Sequence, residues 1–159
     1  MIRILFVCLG NICRSPMAEA VLRDKVKKAG LEDQIFVDSA GTGDWHLGSK
    51  PHSGTRKILD LSGISYEGIR ARQIQPSDFD KFDWLVAMDR SNEQDLRFVA
   101  DQCGKNKNKV VRFMNLLEDH PTEDVPDPYY SGRFDEVFKL VDKGTDVMLK
   151  CFLKKINRS

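Results

Sequence analysis

The sequence predicts an α/β fold, a single domain with a doubly wound, four-stranded parallel sheet flanked by helices. Three observations carry that expectation. Short apolar runs of strand length alternate along the chain with amphipathic stretches of helical spacing, the pattern of parallel strands joined by right-handed crossovers. The first run is apolar almost throughout, as in a strand covered on both faces. At 159 residues, 41% of them apolar, the chain can fill one core, and no linker, repeat or low-complexity tract divides it, so residues 1–159 read as one domain.

Taken in order, Ile2 and Ile4 to Val7 form the first strand. A helix follows at once: Ser15 is placed to cap it, Pro16 suits its first turn, and Ala18, Val21, Leu22 and Val26 recur at helical spacing until lysines and Gly30 end it. Ile35 to Ala40 reads as a second strand and Thr55 to Ser62 as a helix stopped by Gly63. Asp83 to Met88 reads as the third strand, Ser91 to Cys103 as a capped helix, and Lys109 to Phe113 as the fourth strand. Phe134 to Ile156 closes the chain as a long helix with Val137, Val141, Met148, Phe152 and Ile156 on one side. Gly41 to Pro51 and Leu117 to Gly132 fit no element, and long loops of this kind often carry function.

Composition narrows the function classes. Twenty-five basic against 24 acidic side chains leave a formal charge of +1, so no global field draws the protein to nucleic acid or anionic lipid, and any anion affinity must be local. The start has neither a long apolar signal core nor a membrane span, which sets the expectation of a cytoplasmic protein without a membrane partner. In a reducing compartment Cys8, Cys13, Cys103 and Cys151 are not expected to form structural bridges. The histidines His46, His52 and His120 are scattered and no zinc-ligand spacing occurs, so neither a metal nor another cofactor is expected.

The sharpest local signal is Cys8-Leu9-Gly10-Asn11-Ile12-Cys13-Arg14-Ser15, in which five residues separate a cysteine from an arginine between a buried strand and a helix start. Ligands of open α/β sheets bind beyond the carboxyl ends of strands, where a loop entering a helix can aim several backbone N–H groups at one anion. Gly10 permits a tight path and Asn11 tolerates unusual dihedrals. A field that holds phosphate also stabilises a thiolate, which makes Cys8 a candidate nucleophile. Arg14 offers a planar, permanently charged fork for two phosphoryl oxygens, and Ser15 could donate a hydrogen bond to the sulfur as it leaves. Alone, a cysteine ending a strand is usually a small buried hydrophobe. It is the conjunction on one strand-to-helix turn that points to anion chemistry.

Val7 to Pro16, with Ala18-Glu19-Ala20 behind them, resemble the phosphate loop of low-molecular-weight protein tyrosine phosphatases, and Asp127-Pro128-Tyr129-Tyr130 resembles that family's general-acid loop. Asp38-Ser39, Asp44-Trp45, Ala71-Arg72-Gln73, Met88-Asp89 and Ser91-Asn92 extend the resemblance over nearly the whole chain. It implies metal-independent hydrolysis of phosphate monoesters, particularly protein phosphotyrosine, through a phosphocysteine on Cys8, with Asp127 as acid and then base. Inorganic phosphate or vanadate would occupy the same site. It further implies that Trp45 packs on the substrate ring, with Tyr129 and Tyr130 opposite, although loop aromatics can also simply anchor a loop to the core. In eukaryotic relatives the paired tyrosines are phosphorylation sites. Asn11 and Ser39 resemble residues that brace the loop. Many relatives add a histidine shortly before Ala-Arg-Gln, where this chain has Ile69. Asp89 could serve the site or cap the next helix, and Cys13 is a candidate redox partner for Cys8.

Rival readings differ in particular residues. A thioredoxin-coupled arsenate reductase would need a resolving cysteine pair, whereas beyond the loop this chain has only Cys103 and Cys151, far apart in sequence. A protein arginine phosphatase carries threonine where Ile12 stands. A non-catalytic phosphate-binding module would have no use for both Cys8 and Asp127.

Overall fold

A computed structural model describes residues 1–118 and 123–157. Residues 119–122 of the loop expected over Leu117 to Gly132, His120 among them, lie outside the described residues. Four strands, β1 (Ile2–Cys8), β2 (Ile35–Gly41), β3 (Trp84–Ala87) and β4 (Val110–Arg112), form one all-parallel sheet in the order β2-β1-β3-β4. The helices are α1 (Arg14–Lys28), α2 (Ser53–Leu61), α3 (Asp78–Lys81), α4 (Arg90–Cys103), α5 (Pro128–Ser131) and α6 (Phe134–Asn157), with short 3-10 turns at Lys107–Lys109 and Phe113–Leu116.

The double cover of the sheet follows from the two-residue period of β1. Ile4, Phe6 and Cys8 point into a cluster built with Met17, Val21 and Leu22 of α1 and Val137, Val141, Met148 and Phe152 of α6. Leu5 and Val7 point the other way, into a cluster with Phe79 of α3 and Leu96 and Ala100 of α4. All five β1 residues from Ile4 to Cys8 are buried, so the unbroken apolar run has a direct physical cause. No helix among the described residues is long and apolar enough to cross a membrane.

Several element ends differ from expectation. α1 begins at Arg14 behind Cys13, so Ser15 is not its cap; the Ser15 hydroxyl is engaged with Cys8 and Asn11 instead. α2 starts two residues earlier than expected because the His52 ring accepts a hydrogen bond from the Gly54 N–H. β3 and β4 are shorter by a residue at each end than the apolar runs suggested, their paired residues being Trp84–Ala87 and Val110–Arg112. Two one-turn helices, α3 and α5, carry too little periodicity to be seen in the sequence.

The topology brings the site together. β1 is central, and its carboxyl end delivers Cys8 beside Gly41 of β2. A Cβ on Gly41 would lie 2.8 Å from the Leu9 carbonyl and 3.2 Å from Asn11, so glycine is what lets the following loop pass over the end of β2.

Candidate active site

The loop from Leu9 to Cys13 is shaped by where its carbonyls go. Cys8 and Leu9 carbonyls accept from the N–H groups of Thr42 and Gly43 at 3.0 and 2.9 Å. The Ile12 carbonyl accepts from His52 N–H at 2.7 Å, and that of Cys13 from the Thr55 hydroxyl at 3.1 Å. With these four carbonyls tied outward, a loop of this shape can turn N–H groups toward an anion at its centre. Asn11 turns the chain with φ of 55°, a left-handed conformation that costs asparagine less than most residues.

Asn11 also anchors a chain of oriented protons. Its amide nitrogen donates to the hydroxyls of Ser15 and Ser39, both at 2.9 Å, while its carbonyl oxygen accepts from the Arg72 N–H at 2.9 Å. Ser39 spends its own proton on Glu19, 2.7 Å away. Ser15, an acceptor from Asn11, lies 2.9 Å from the Cys8 sulfur, close enough to donate its own proton there. Glu19, Ser39, Asn11, Ser15 and Cys8 are all buried, so each hydrogen bond among them carries the cost of its absence. Ile69, buried in the main core, leaves the chain to be completed by Glu19 and the Arg72 backbone.

Arg14 is 2% exposed and yet charged. Its Nη1 donates to Asp89 at 2.6 Å and to the Val125 carbonyl at 3.0 Å, and Nη2 reaches Asp127 at 3.5 Å. Nε has no partner among the described residues. The Nε and Nη2 edge of the fork is therefore the one available for bidentate contact with two oxygens. Burial by itself would lower the Arg14 pKa, but Cys8, Asp89 and Asp127 raise it above the ordinary arginine value.

Burial, followed by the charges on Cys8 and Asp127, pushes the Cys13 thiol up to about 12 against the opposing effect of Arg14. Cys13 thus stays protonated beside Cys8 and does not compete with it as a nucleophile. Glu19 is likewise pushed up, to about 7, chiefly by burial and further by Asp38, while Ser39, Arg23 and Arg72 pull it down. Arg72 binds Asp38 and Asp78 at 3.2 and 3.0 Å, fixing the segment that follows Ile69.

Cys8, Leu9, Gly10, Ile12, Cys13, Arg14, Trp45, Asp127, Tyr129 and Tyr130 all line one pocket of about 220 Å³, so nearly every residue expected at the site is brought to it. Asn11 and Ser15 lie beneath it in the hydrogen-bonded chain. Asp127 is used twice, for one oxygen caps α5 through Tyr129 N–H at 3.1 Å while the side chain lines the pocket. The same holds for Asp89, whose Oδ1 caps α4 through Asn92 N–H at 2.7 Å while Oδ2 holds Arg14.

Sequence reasoning missed His46 and His52. His46 lines the pocket, and His52 stacks on Phe134 and meets Tyr129 edge-on. It also gave Glu19 no role of its own. A lone carboxylate inside the buried run Met17 to Leu22 was the available signal, because such a group needs a partner.

The family model for the low molecular weight phosphotyrosine protein phosphatase matches residues 3–159. The chain is 50% identical over 155 residues to the low molecular weight protein-tyrosine-phosphatase YfkJ of Bacillus subtilis, covering 98% of each chain. It is 42% identical over 157 residues to PtpA of Staphylococcus epidermidis, covering 99% of this chain and 97% of that one. The crystal structure of YfkJ superposes with a TM-score of 0.92 over 98% of this chain and 96% of that one. A drosophila arginine phosphatase superposes with a TM-score of 0.84 at 31% identity, over 94% and 96% of the two chains.

Proposed function

This chain belongs to the low molecular weight phosphotyrosine protein phosphatase family, and on that premise we propose that it hydrolyses protein phosphotyrosine through a phosphocysteine on Cys8. The observation that carries the reading is the convergence of Cys8, Arg14 and Asp127 with Trp45 and Tyr129 on one small pocket. The Cys8 sulfur attacks phosphorus, the bond to the phenolic oxygen breaks, and protonated Asp127 gives its proton to that oxygen. Asp127, now a carboxylate, takes a proton from water as the water attacks phosphorus. The sulfur–phosphorus bond then breaks, with the returning charge on sulfur met by the Ser15 hydroxyl. Arg14 holds two phosphoryl oxygens throughout, and the loop N–H groups hold the third. Each step is carried by groups of the chain itself.

Phosphotyrosine is favoured over phosphoserine because the nucleophile sits at the foot of a pocket with aromatic walls, which a short side chain does not span. It is favoured over phosphoarginine because Ile12, 7% exposed at the pocket wall, offers guanidinium nitrogens no hydrogen bond. Matched phosphotyrosine, phosphoserine and phosphoarginine peptides test this. Phosphotyrosine should lead in kcat/KM, and Ile12→Thr should shift the balance toward phosphoarginine. Phosphoarginine turnover at or above that of phosphotyrosine in the unaltered protein would reassign the substrate. The reading also places Cys13 as the redox partner of Cys8 and the protein in the cytoplasm, where thiol chemistry is sustained.

A further inference from the structure

Trp45 separates two hollows. On one side lies the pocket of Cys8, and on the other a groove of about 270 Å³ to whose lining Leu9, Asp95, Phe98 and Val99 contribute. Leu9 and Trp45 belong to both. The Trp45 ring rests where a Gly43 side chain would be, since a Cβ there would come within 1.9 Å of it, so bare backbone holds the partition in place. Phe98 is 63% exposed and Trp45 69%. Of the ten large apolar side chains exposed among the described residues, five, Leu9, Trp45, Phe98, Tyr129 and Tyr130, line these two adjoining hollows. Concentration of that kind marks a surface that receives a partner.

The groove has one further feature. Asp95 is exposed, stands one turn before Phe98 and Val99 on α4 and makes no ion pair among the described residues. An aliphatic residue in this groove would leave that carboxylate with a desolvated flank, and an acidic one would be repelled by it. A side chain with an apolar stem and a cationic head satisfies both parts.

We propose that this groove is a substrate subsite for a lysine or arginine lying near the phosphotyrosine, its stem against Leu9, Phe98 and Val99 and its charge at Asp95. Phe98 and Trp45 add aromatic rings to the same groove, a surface to which a cation is drawn. The proposal rests on the phosphotyrosine reading and adds the sequence context that the site prefers.

The test uses the full chain and phosphotyrosine peptides in which one residue, one or two positions to either side, is arginine, leucine or glutamate. At one of these positions arginine should exceed glutamate in kcat/KM by roughly three- to fivefold, chiefly through KM, with leucine between them. Phe98→Ala and Asp95→Asn should each reduce that preference to less than about twofold. Neither should alter turnover of p-nitrophenyl phosphate, which is too short to reach the groove. Equal rates for the three peptides at every position, a preference for leucine, or a preference that survives both variants would overturn the subsite while p-nitrophenyl phosphate is still hydrolysed. Failure to hydrolyse p-nitrophenyl phosphate at all would overturn the phosphatase reading and the subsite with it.

Discussion

Asp89 and Arg14 meet at 2.6 Å, and the second oxygen of the same carboxylate caps α4 at 2.7 Å. One residue therefore fixes the arginine fork and the start of the helix behind it.

That double use predicts a graded pair of variants. Asp89→Asn keeps a good helix cap but leaves the buried guanidinium short of its main counter-charge, a loss on the order of 3 kcal/mol. Asp89→Ala removes the cap as well, a further loss of about 1 kcal/mol. Urea unfolding of both variants checks the difference, and added inorganic phosphate should restore more stability to each than to the unaltered protein. Equal losses in the two variants would deny the capping role.

Cys8→Ser should abolish turnover of aryl phosphates while leaving phosphate binding largely intact, because the outward-tied loop and the Nε and Nη2 edge of Arg14 remain. Arg14→Lys should fail in both respects, since a point charge does not reproduce the fork. Calorimetric titration with phosphate separates the two outcomes, and near-normal kcat/KM in either variant would remove that residue from the reaction.

For Asp127→Asn, the loss in kcat should grow as the leaving phenol becomes more basic, because proton donation matters most there. A series of substituted phenyl phosphates measures the slope. An identical loss across the series would reduce Asp127 to the cap of α5.

Glu19 predicts a pH dependence of stability with a definite sign. Its pKa rises from 4.5 in the unfolded chain to about 7 in the fold. Below pH 4.5 both states hold the proton and the contribution is fully present. Between 4.5 and about 7 the unfolded chain ionises first, so stability falls with rising pH, by about 3 kcal/mol in all. Glu19→Gln accepts the same bond from Ser39 but cannot ionise. Its stability should therefore gain on that of the unaltered protein across this window, and parallel unfolding curves at pH 5 and pH 8 would contradict the assignment.

Cys13 gives a redox prediction. Peroxide oxidises the Cys8 thiolate to a sulfenic acid, which condenses with the Cys13 thiol to a disulfide as water leaves. Intact mass after mild peroxide should fall by two hydrogens, and dithiothreitol should restore activity. In Cys13→Ser the recovery should be lost as Cys8 oxidises further. An unchanged mass in the unaltered protein would count against the pairing.

The sequence by itself was enough for the α/β class, the four strands, the four longer helices and the spacing that joins Cys8 to Arg14. These features are local. The apolar run of β1 and the Cys-to-Arg turn are written in consecutive residues, and Asp127 followed through the resemblance of its loop. Element ends were less legible, because the start of α2 depends on His52 reaching Gly54 and the length of β3 on its neighbours in the sheet.

What only the tertiary structure decided lies between residues distant in sequence. It joined Glu19, Ser39, Asn11, Ser15 and Cys8 into one line of protons and gave Asp89 and Asp127 two tasks each. It also set Phe98 beside Trp45 across a second groove. Hydrogen bonds and pocket walls depend on angles and distances of a few ångströms, and the chain fixes those only after the sheet has brought the ends of its strands together.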